Sequence, residues 1–104
     1  MSKTKKKSFK ELISSPDTPV LVDFYATWCG PCQTLSPIVQ DVSHEMGDAL
    51  KVIKVDIDKN QGAAQQFQIQ GVPTLILFKN GKAVWRQSGL MTKRDLVASI
   101  RRSI

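Results

Sequence analysis

The residues of this chain that could do chemistry are its two cysteines, Cys29 and Cys32. Gly30 and Pro31 separate them, so at the start of a helix both sulfurs lie within one turn and can close a disulfide. An apolar, strand-like run over residues 20–26 precedes the pair, and a helical pattern follows it. A thiol pair at such a junction is the arrangement that thiol–disulfide exchange needs.

The two thiols are predicted to have different roles. The thiolate, rather than the thiol, attacks a disulfide, and a free cysteine titrates only near pH ~8.5. The unpaired N–H groups and the positive dipole end of a helix starting at Cys29 would favour its anion. We therefore predict that Cys29 is the more exposed nucleophile and that Cys32, one turn further on, is the more buried resolving thiol.

Asp23 is the candidate proton acceptor for the resolving step. It is the one acid in an otherwise apolar strand that leads to the cysteines, and burial would raise its pKa towards neutrality. Lys54, on a neighbouring predicted strand, is its candidate partner. Two plainer interpretations stay open: Asp23 at a sheet edge facing water, and Lys54 as an ordinary surface lysine.

Zinc binding is the competing use of a Cys-x-x-Cys pair. A structural zinc site takes four ligands, usually from two such pairs or from one pair and histidines. This chain has one pair and one histidine, His44, which falls inside the predicted helix. We therefore expect no metal site and place His44 at a surface or partly buried helix position.

Hydrophobic periodicity and turn residues predict alternating helices and strands. The predicted elements are a short helix from the Ser8 capping box to Ile13, a strand over 20–26, a helix over Cys32–Met46 kinked at Pro37, a strand over Lys51–Asp56, a helix over 60–67, a strand over 74–78, a hairpin turn at Asn80-Gly81 with a return strand over 82–87, and a last helix capped near Thr92. This order predicts one α/β domain over 1–104, with a mixed sheet covered by helices on both faces.

The net charge of +6 belongs to the ends of the chain. Lysines crowd the first ten residues and basic residues recur after residue 92, whereas the body between carries two more acids than bases. We predict solvated ends, with residues 1–7 frayed; an anionic partner for these ends is the alternative, and we expect no nucleic-acid partner. The sequence shows neither a secretory signal nor an apolar run of the roughly 20 residues that a membrane helix needs, so we expect a cytoplasmic protein.

Further motifs lie along the chain at characteristic separations: Val22-Asp23-Phe24-Tyr25-Ala26, Trp28-Cys29-Gly30-Pro31-Cys32, Pro37, Lys54-Val55-Asp56-Ile57-Asp58, Gly71-Val72-Pro73-Thr74, Phe78-Lys79-Asn80-Gly81 and Gly89. With these motifs the sequence resembles the thioredoxin family over nearly its full length. The resemblance implies the thioredoxin fold, with a mixed sheet of four or five strands, and a cis Val72–Pro73 bond facing the cysteines. A strand-start proline is the plainer interpretation of Pro73.

The resemblance also implies a flat, mostly apolar surface on which protein disulfides dock. Its residues would be Trp28, Gly30, Pro31, Ile57, Gly71, Val72, Pro73 and Gly89, and Leu90 would extend it. A core aromatic is the alternative for Trp28. The lysine-rich start departs from the family, whose first strand would be missing or very short here, and Tyr25 stands where many members carry tryptophan.

By this resemblance the protein is a thiol–disulfide oxidoreductase that reduces protein disulfides as a monomer. It needs no bound cofactor, because the Cys29–Cys32 pair is the redox group, and electrons come from NADPH through a flavoprotein thioredoxin reductase. Implied substrates are peroxiredoxins, methionine sulfoxide reductases and ribonucleotide reductase. Two alternatives stay open: an oxidase or isomerase with the same fold, and a binding subunit of a larger complex.

Overall fold

A four-stranded sheet organises residues 8–104, the part of the chain that the computed structural model describes. In chain order the elements are α1 (Phe9–Ile13), β1 (Val20–Tyr25), α2 (Gly30–Met46), a 3-10 turn (Gly47–Ala49), β2 (Lys51–Asp56), α3 (Gln61–Gln66), β3 (Thr74–Lys79), β4 (Lys82–Ser88) and α4 (Lys93–Ser103). Two predictions, that the family's first strand is missing or very short and that the basic terminus is frayed, concern residues 1–7, which lie outside the described residues.

The sheet is mixed, as predicted, with the strand order β2-β1-β3-β4. β1 runs parallel to β2 and antiparallel to β3, and β3 pairs antiparallel with β4. Asn80 and Gly81 form the two-residue turn between β3 and β4, with φ of 53° and 83°. Both residues take the left-handed conformation that a tight hairpin requires, which is why the Asn-Gly pair predicted the turn correctly.

Each of the two central strands buries both of its faces. On one face, Leu21 of β1 and Leu75 and Leu77 of β3 pack with apolar residues of α2 and α4, including Leu35 and Leu96. The continuous apolar runs of β1 and β3 reflect this position, because a strand covered on both sides has no polar face.

The second face of the sheet packs against α1 and the segment around α3. Its centre is a cluster of four phenylalanine rings, Phe9, Phe24, Phe67 and Phe78. The predicted architecture, a sheet with helices on both faces, is therefore confirmed.

Side-chain caps set where the helices begin. Ser8 and Glu11 form the predicted reciprocal capping box of α1, and Thr92 caps α4 by accepting from the Asp95 amide. α2 begins at Gly30, two residues before its predicted start, because Cys29 is its cap and Pro31 is tolerated in a first turn. The same helix continues through Pro37 to Met46.

Candidate redox site

Cys29 is the N-cap of α2 and forms a disulfide with Cys32. The two Cα atoms are 5.3 Å apart, and the Cys29 sulfur accepts the backbone N–H of Cys32 at 3.1 Å. A sulfur in this position also faces the positive end of the helix dipole. Both effects stabilise negative charge on Cys29 once the disulfide is reduced, as a nucleophilic thiolate requires.

The predicted difference in exposure between the cysteines is wrong for the oxidised protein. Cys29 is 5% exposed and Cys32 is 4% exposed. Cys29 is covered because its side chain folds back as the helix cap and lies 3.7 Å from the carbonyl oxygen of Val72. What distinguishes the two sulfurs is their surroundings: Cys32 lines a depression on the inner side of α2 together with Ser36 and Lys54.

Asp23 is buried and its carboxylate has no hydrogen-bond partner within residues 8–104. It is 1% exposed, and neither of its oxygens meets a donor. Burial raises the pKa of Asp23 from 3.8 to about 6, and the positive charge of Lys54 opposes that rise. The alternative of an edge residue facing water is therefore wrong, and the carboxyl can exchange a proton near neutral pH.

The strand register places Asp23 beneath the start of α2. On the same face of β1, Leu21 packs into the core with Leu35 of α2, and Tyr25 packs against the buried cysteines. Asp23 lies between Leu21 and Tyr25 on that face, since side chains two apart on a strand point the same way. The acid predicted from sequence is thus brought under the helix that carries Cys32.

Lys54 lies beside Asp23 on β2, in direct register with it. Its ammonium nevertheless binds elsewhere: Nζ donates to the Ser36 hydroxyl at 2.7 Å and lies 4.8 Å from the centre of the Tyr25 ring. The predicted pairing with Asp23 is thus an electrostatic influence rather than a hydrogen bond. Sequence reasoning missed Ser36, whose only signal is its helical spacing of four residues from Cys32.

Trp28 is an exposed aromatic beside the disulfide, not a core residue. Its side chain is 69% exposed, and the indole N–H donates to the Asp58 carboxylate at 3.0 Å. Asp58 was not predicted as a site residue. Its position just after β2, next to the predicted docking residue Ile57, was the available signal.

The Val72–Pro73 bond is cis, as the resemblance implies. Val72 packs against the buried cysteines together with Ile57. The Gly89 amide donates to the Pro73 carbonyl at 2.9 Å, so the segment after β4 is tied to this turn. Ile57 and Val72 therefore lie against the cysteine cluster, and Gly89 is joined to them through Pro73.

The surface around the disulfide is open. Gly30 and Gly71 are exposed, and a Cβ atom on either would meet nothing within 4 Å. Leu90 is 52% exposed and lines a groove with Ile38 and Thr34 of α2, so it extends this surface along the helix. A shallow, open surface of this kind suits docking of a protein segment better than enclosure of a small molecule.

His44 lies on the exposed face of α2, where the sequence placed it. Among residues 8–104, no group of three or more histidine, cysteine or acidic side chains is arranged to hold a metal ion. Within the same range, every helix is too short or too polar to cross a membrane.

Taken with the fold, a disulfide at a helix N-terminus, with a buried acid and a cis-proline turn nearby, is an arrangement chemically able to undergo dithiol–disulfide exchange. The chain belongs to the thioredoxin family, whose model matches residues 1–102. It is 48% identical over 93 residues to the rice protein "Thioredoxin Y, chloroplastic", covering 89% of this chain and 55% of that relative. It is 42% identical over 97 residues to a thioredoxin of Rickettsia typhi, covering 93% and 92%.

Other relatives agree. A thioredoxin-like protein of Synechocystis is 44% identical over 93 residues, which make up 89% of each chain. A solved structure of a malarial protein superposes with a TM-score of 0.79 at 31% identity, over 84% of this chain and 98% of that one. This chain spans little more than half the length of the rice relative.

Proposed function

We propose that this protein reduces protein disulfides through Cys29 and Cys32. The observation that carries the proposal is the capped sulfur: Cys29 accepts the N–H of Cys32 at the start of α2 and lies in a cluster against which Val72 and Ile57 pack, next to the exposed Trp28. A stabilised thiolate in this position can reach a disulfide on a folded or extended protein partner.

The reaction proceeds in two exchanges. The Cys29 thiolate attacks one sulfur of the substrate disulfide, which breaks that bond, forms a mixed disulfide and releases the other substrate sulfur as a thiolate. Cys32 then loses its proton to Asp23 and attacks the Cys29 sulfur. The second substrate thiol leaves, and the Cys29–Cys32 disulfide forms, so two electrons pass from the dithiol to the substrate.

Electrons must be returned to the disulfide after each cycle. We infer that a thioredoxin reductase supplies them from NADPH, and that peroxiredoxins, methionine sulfoxide reductases and ribonucleotide reductase are among the substrates. Family membership supports these partners as a class. That the protein is a monomer in the cytoplasm stays our prediction. Size-exclusion chromatography tests the first part and cell fractionation the second, which matters because the rice relative is named chloroplastic.

The catalytic test is reduction of insulin by dithiothreitol, followed by turbidity. Cys29→Ser and Cys32→Ser are each expected to abolish the acceleration, and Cys32→Ser is expected to accumulate the mixed disulfide because the resolving thiol is gone. Circular dichroism checks that both variants fold. Full activity in either variant contradicts the mechanism, and a reduction potential well above the glutathione poise would favour an oxidase or isomerase.

The docking surface is tested with a matched pair of glycines. Gly71→Glu places a charge on the apolar surface, whereas Gly62→Glu places the same charge on α3; a Cβ at either position meets nothing within 4 Å, so neither change clashes with the fold. Gly71→Glu is expected to raise the KM for a protein disulfide and Gly62→Glu to leave it unchanged. Equal effects of the two variants would contradict the docking assignment.

A further inference from the structure

Ser36 lies one turn after Cys32 on α2, and the exchange mechanism above gives it no role. We propose that Ser36 is a positioning residue, whose hydroxyl holds the Lys54 ammonium at the rim of the inner depression and off the Asp23 carboxylate. The inference rests on the proposed role of Asp23 as proton acceptor, which it deepens.

The contacts of Lys54 carry the proposal. Lys54 on β2 is paired in register with Asp23 on β1, so the Lys54 side chain leaves the backbone beside that carboxylate. Its ammonium nevertheless ends 2.7 Å from the Ser36 hydroxyl and 4.8 Å from the centre of the Tyr25 ring. Both Asp23 oxygens are left without a hydrogen-bond partner in the described part of the chain, although a cation able to satisfy them sits on the adjacent strand.

Ser36 and Lys54 together form a bridge between α2 and β2. Both residues line the depression that contains Cys32, and both line a second depression further along the helix, with Gln40 and Ser43. Their contact therefore lies where the two depressions adjoin. Because Ser36 is half-buried and Lys54 is exposed, the bridge stands where solvent reaches the inner side of the site.

Few other ionisable groups share this region. Tyr25 and Asp56 lie on the same face of the sheet, and Asp56 accepts the Asp58 amide at 2.9 Å. α2 contributes the two cysteines, which titrate only when reduced, and β3 faces Asp23 with the apolar Leu75. Lys54 is thus the cation that lowers the pKa of Asp23 against the larger effect of burial.

Because the Ser36–Lys54 contact keeps the ammonium away, burial has the larger effect on the pKa of Asp23. A cation in direct contact with a carboxylate stabilises its charged form and lowers its pKa by roughly 1 to 3. With the ammonium held by Ser36, the opposing effect of Lys54 is incomplete and the pKa of Asp23 stays at about 6. Asp23 thereby remains basic enough to take a proton from the Cys32 thiol.

The test is a titration of Asp23 in the oxidised protein, followed by the side-chain carboxyl 13C shift in NMR spectra. Ser36→Ala frees the ammonium to reach Asp23 and is expected to bring the pKa of Asp23 from about 6 to about 5 or below. Ser43→Ala, the same change two turns further along α2, is the matched control and is expected to change nothing. In a Lys54→Met background Ser36→Ala is expected to have no effect.

An unchanged or raised pKa of Asp23 in Ser36→Ala overturns the proposal, as does a lowering that persists without Lys54. The pH profile of the resolving step, measured as release of a mixed disulfide at Cys29, separates this result from the role of Asp23. If Ser36→Ala lowers the pKa of Asp23 but the pH profile of the resolving step does not shift with it, the role of Ser36 is supported and Asp23 is not the proton acceptor. If the pKa of Asp23 is unchanged while insulin reduction still requires both cysteines, the role of Ser36 is contradicted and the proposed function is supported.

Discussion

The burial of Asp23 should destabilise the folded protein at neutral pH, and Asp23→Asn should remove that effect. The pKa of the carboxyl is 3.8 in an unfolded chain and about 6 in the fold. Between these values the folded state keeps a proton that the unfolded state has lost, so stability falls as pH rises through this window. Below it both states are protonated and the penalty vanishes; above it the penalty is complete.

The magnitude follows from the two pKa values. Each factor of ten in the ionisation constant is worth about 1.4 kcal/mol, so the full penalty of Asp23 is about 3 kcal/mol. Solvent screening takes little from this figure, because the residue is 1% exposed. Asparagine has the same shape and no charge, and any pH-independent cost of its amide cancels when two pH values are compared.

The assay is urea unfolding of the oxidised proteins at pH 8 and pH 3.5, where the closed disulfide keeps the cysteines from titrating. The stability of Asp23→Asn relative to wild type is expected to be about 3 kcal/mol more favourable at pH 8 than at pH 3.5. With m values of about 1–3 kcal/mol per molar urea, this difference moves the midpoint by about 1–3 M. Asp41→Asn, on the exposed face of α2, is the control. A difference between Asp23→Asn and wild type that is the same at both pH values would refute the reasoning.

Three further predictions test the docking surface and the helices. Asp58→Leu removes the acceptor of the Trp28 indole N–H, so it should alter the Trp28 fluorescence and raise the KM for insulin. An unchanged KM would show that this hydrogen bond does not contribute to docking. Thr92→Ala removes the cap that accepts the Asp95 amide and should cost about 1 kcal/mol in urea unfolding, with no loss arguing against the cap. Leu96→Ala opens a cavity in the core and should cost about 2–5 kcal/mol in the same experiment; a much smaller loss would mean that the core collapses around it.

The parts of this fold that sequence could predict are those set by short-range patterns. The Ser8 capping box, the Asn80-Gly81 hairpin and the apolar runs of β1 and β3 each act within a few residues or one strand. Asp23 was also predictable, because an acid in a strand covered on both faces has no route to water.

Features that depend on packing between distant elements were missed. The burial of Cys29 depends on Val72, the orientation of Trp28 on Asp58, and the position of the Lys54 ammonium on Ser36. In each of these three contacts, one side chain binds one of several partners within its reach. No periodicity or motif encodes that choice, so the sequence correctly predicted that Lys54 lies beside Asp23 but not that its ammonium binds elsewhere.

The closeness of the Cys29 sulfur to the Val72 carbonyl has a practical consequence. The two residues are 43 positions apart, and β1 and β3, which carry them to the same place, must pair before they meet. A truncated chain that ends before Gly71 would keep both thiols yet lack Val72, Pro73 and the Gly89 segment that is hydrogen-bonded to Pro73. Under the proposed function, insulin reduction would therefore also report on completed folding, for instance during the reassembly of two split fragments.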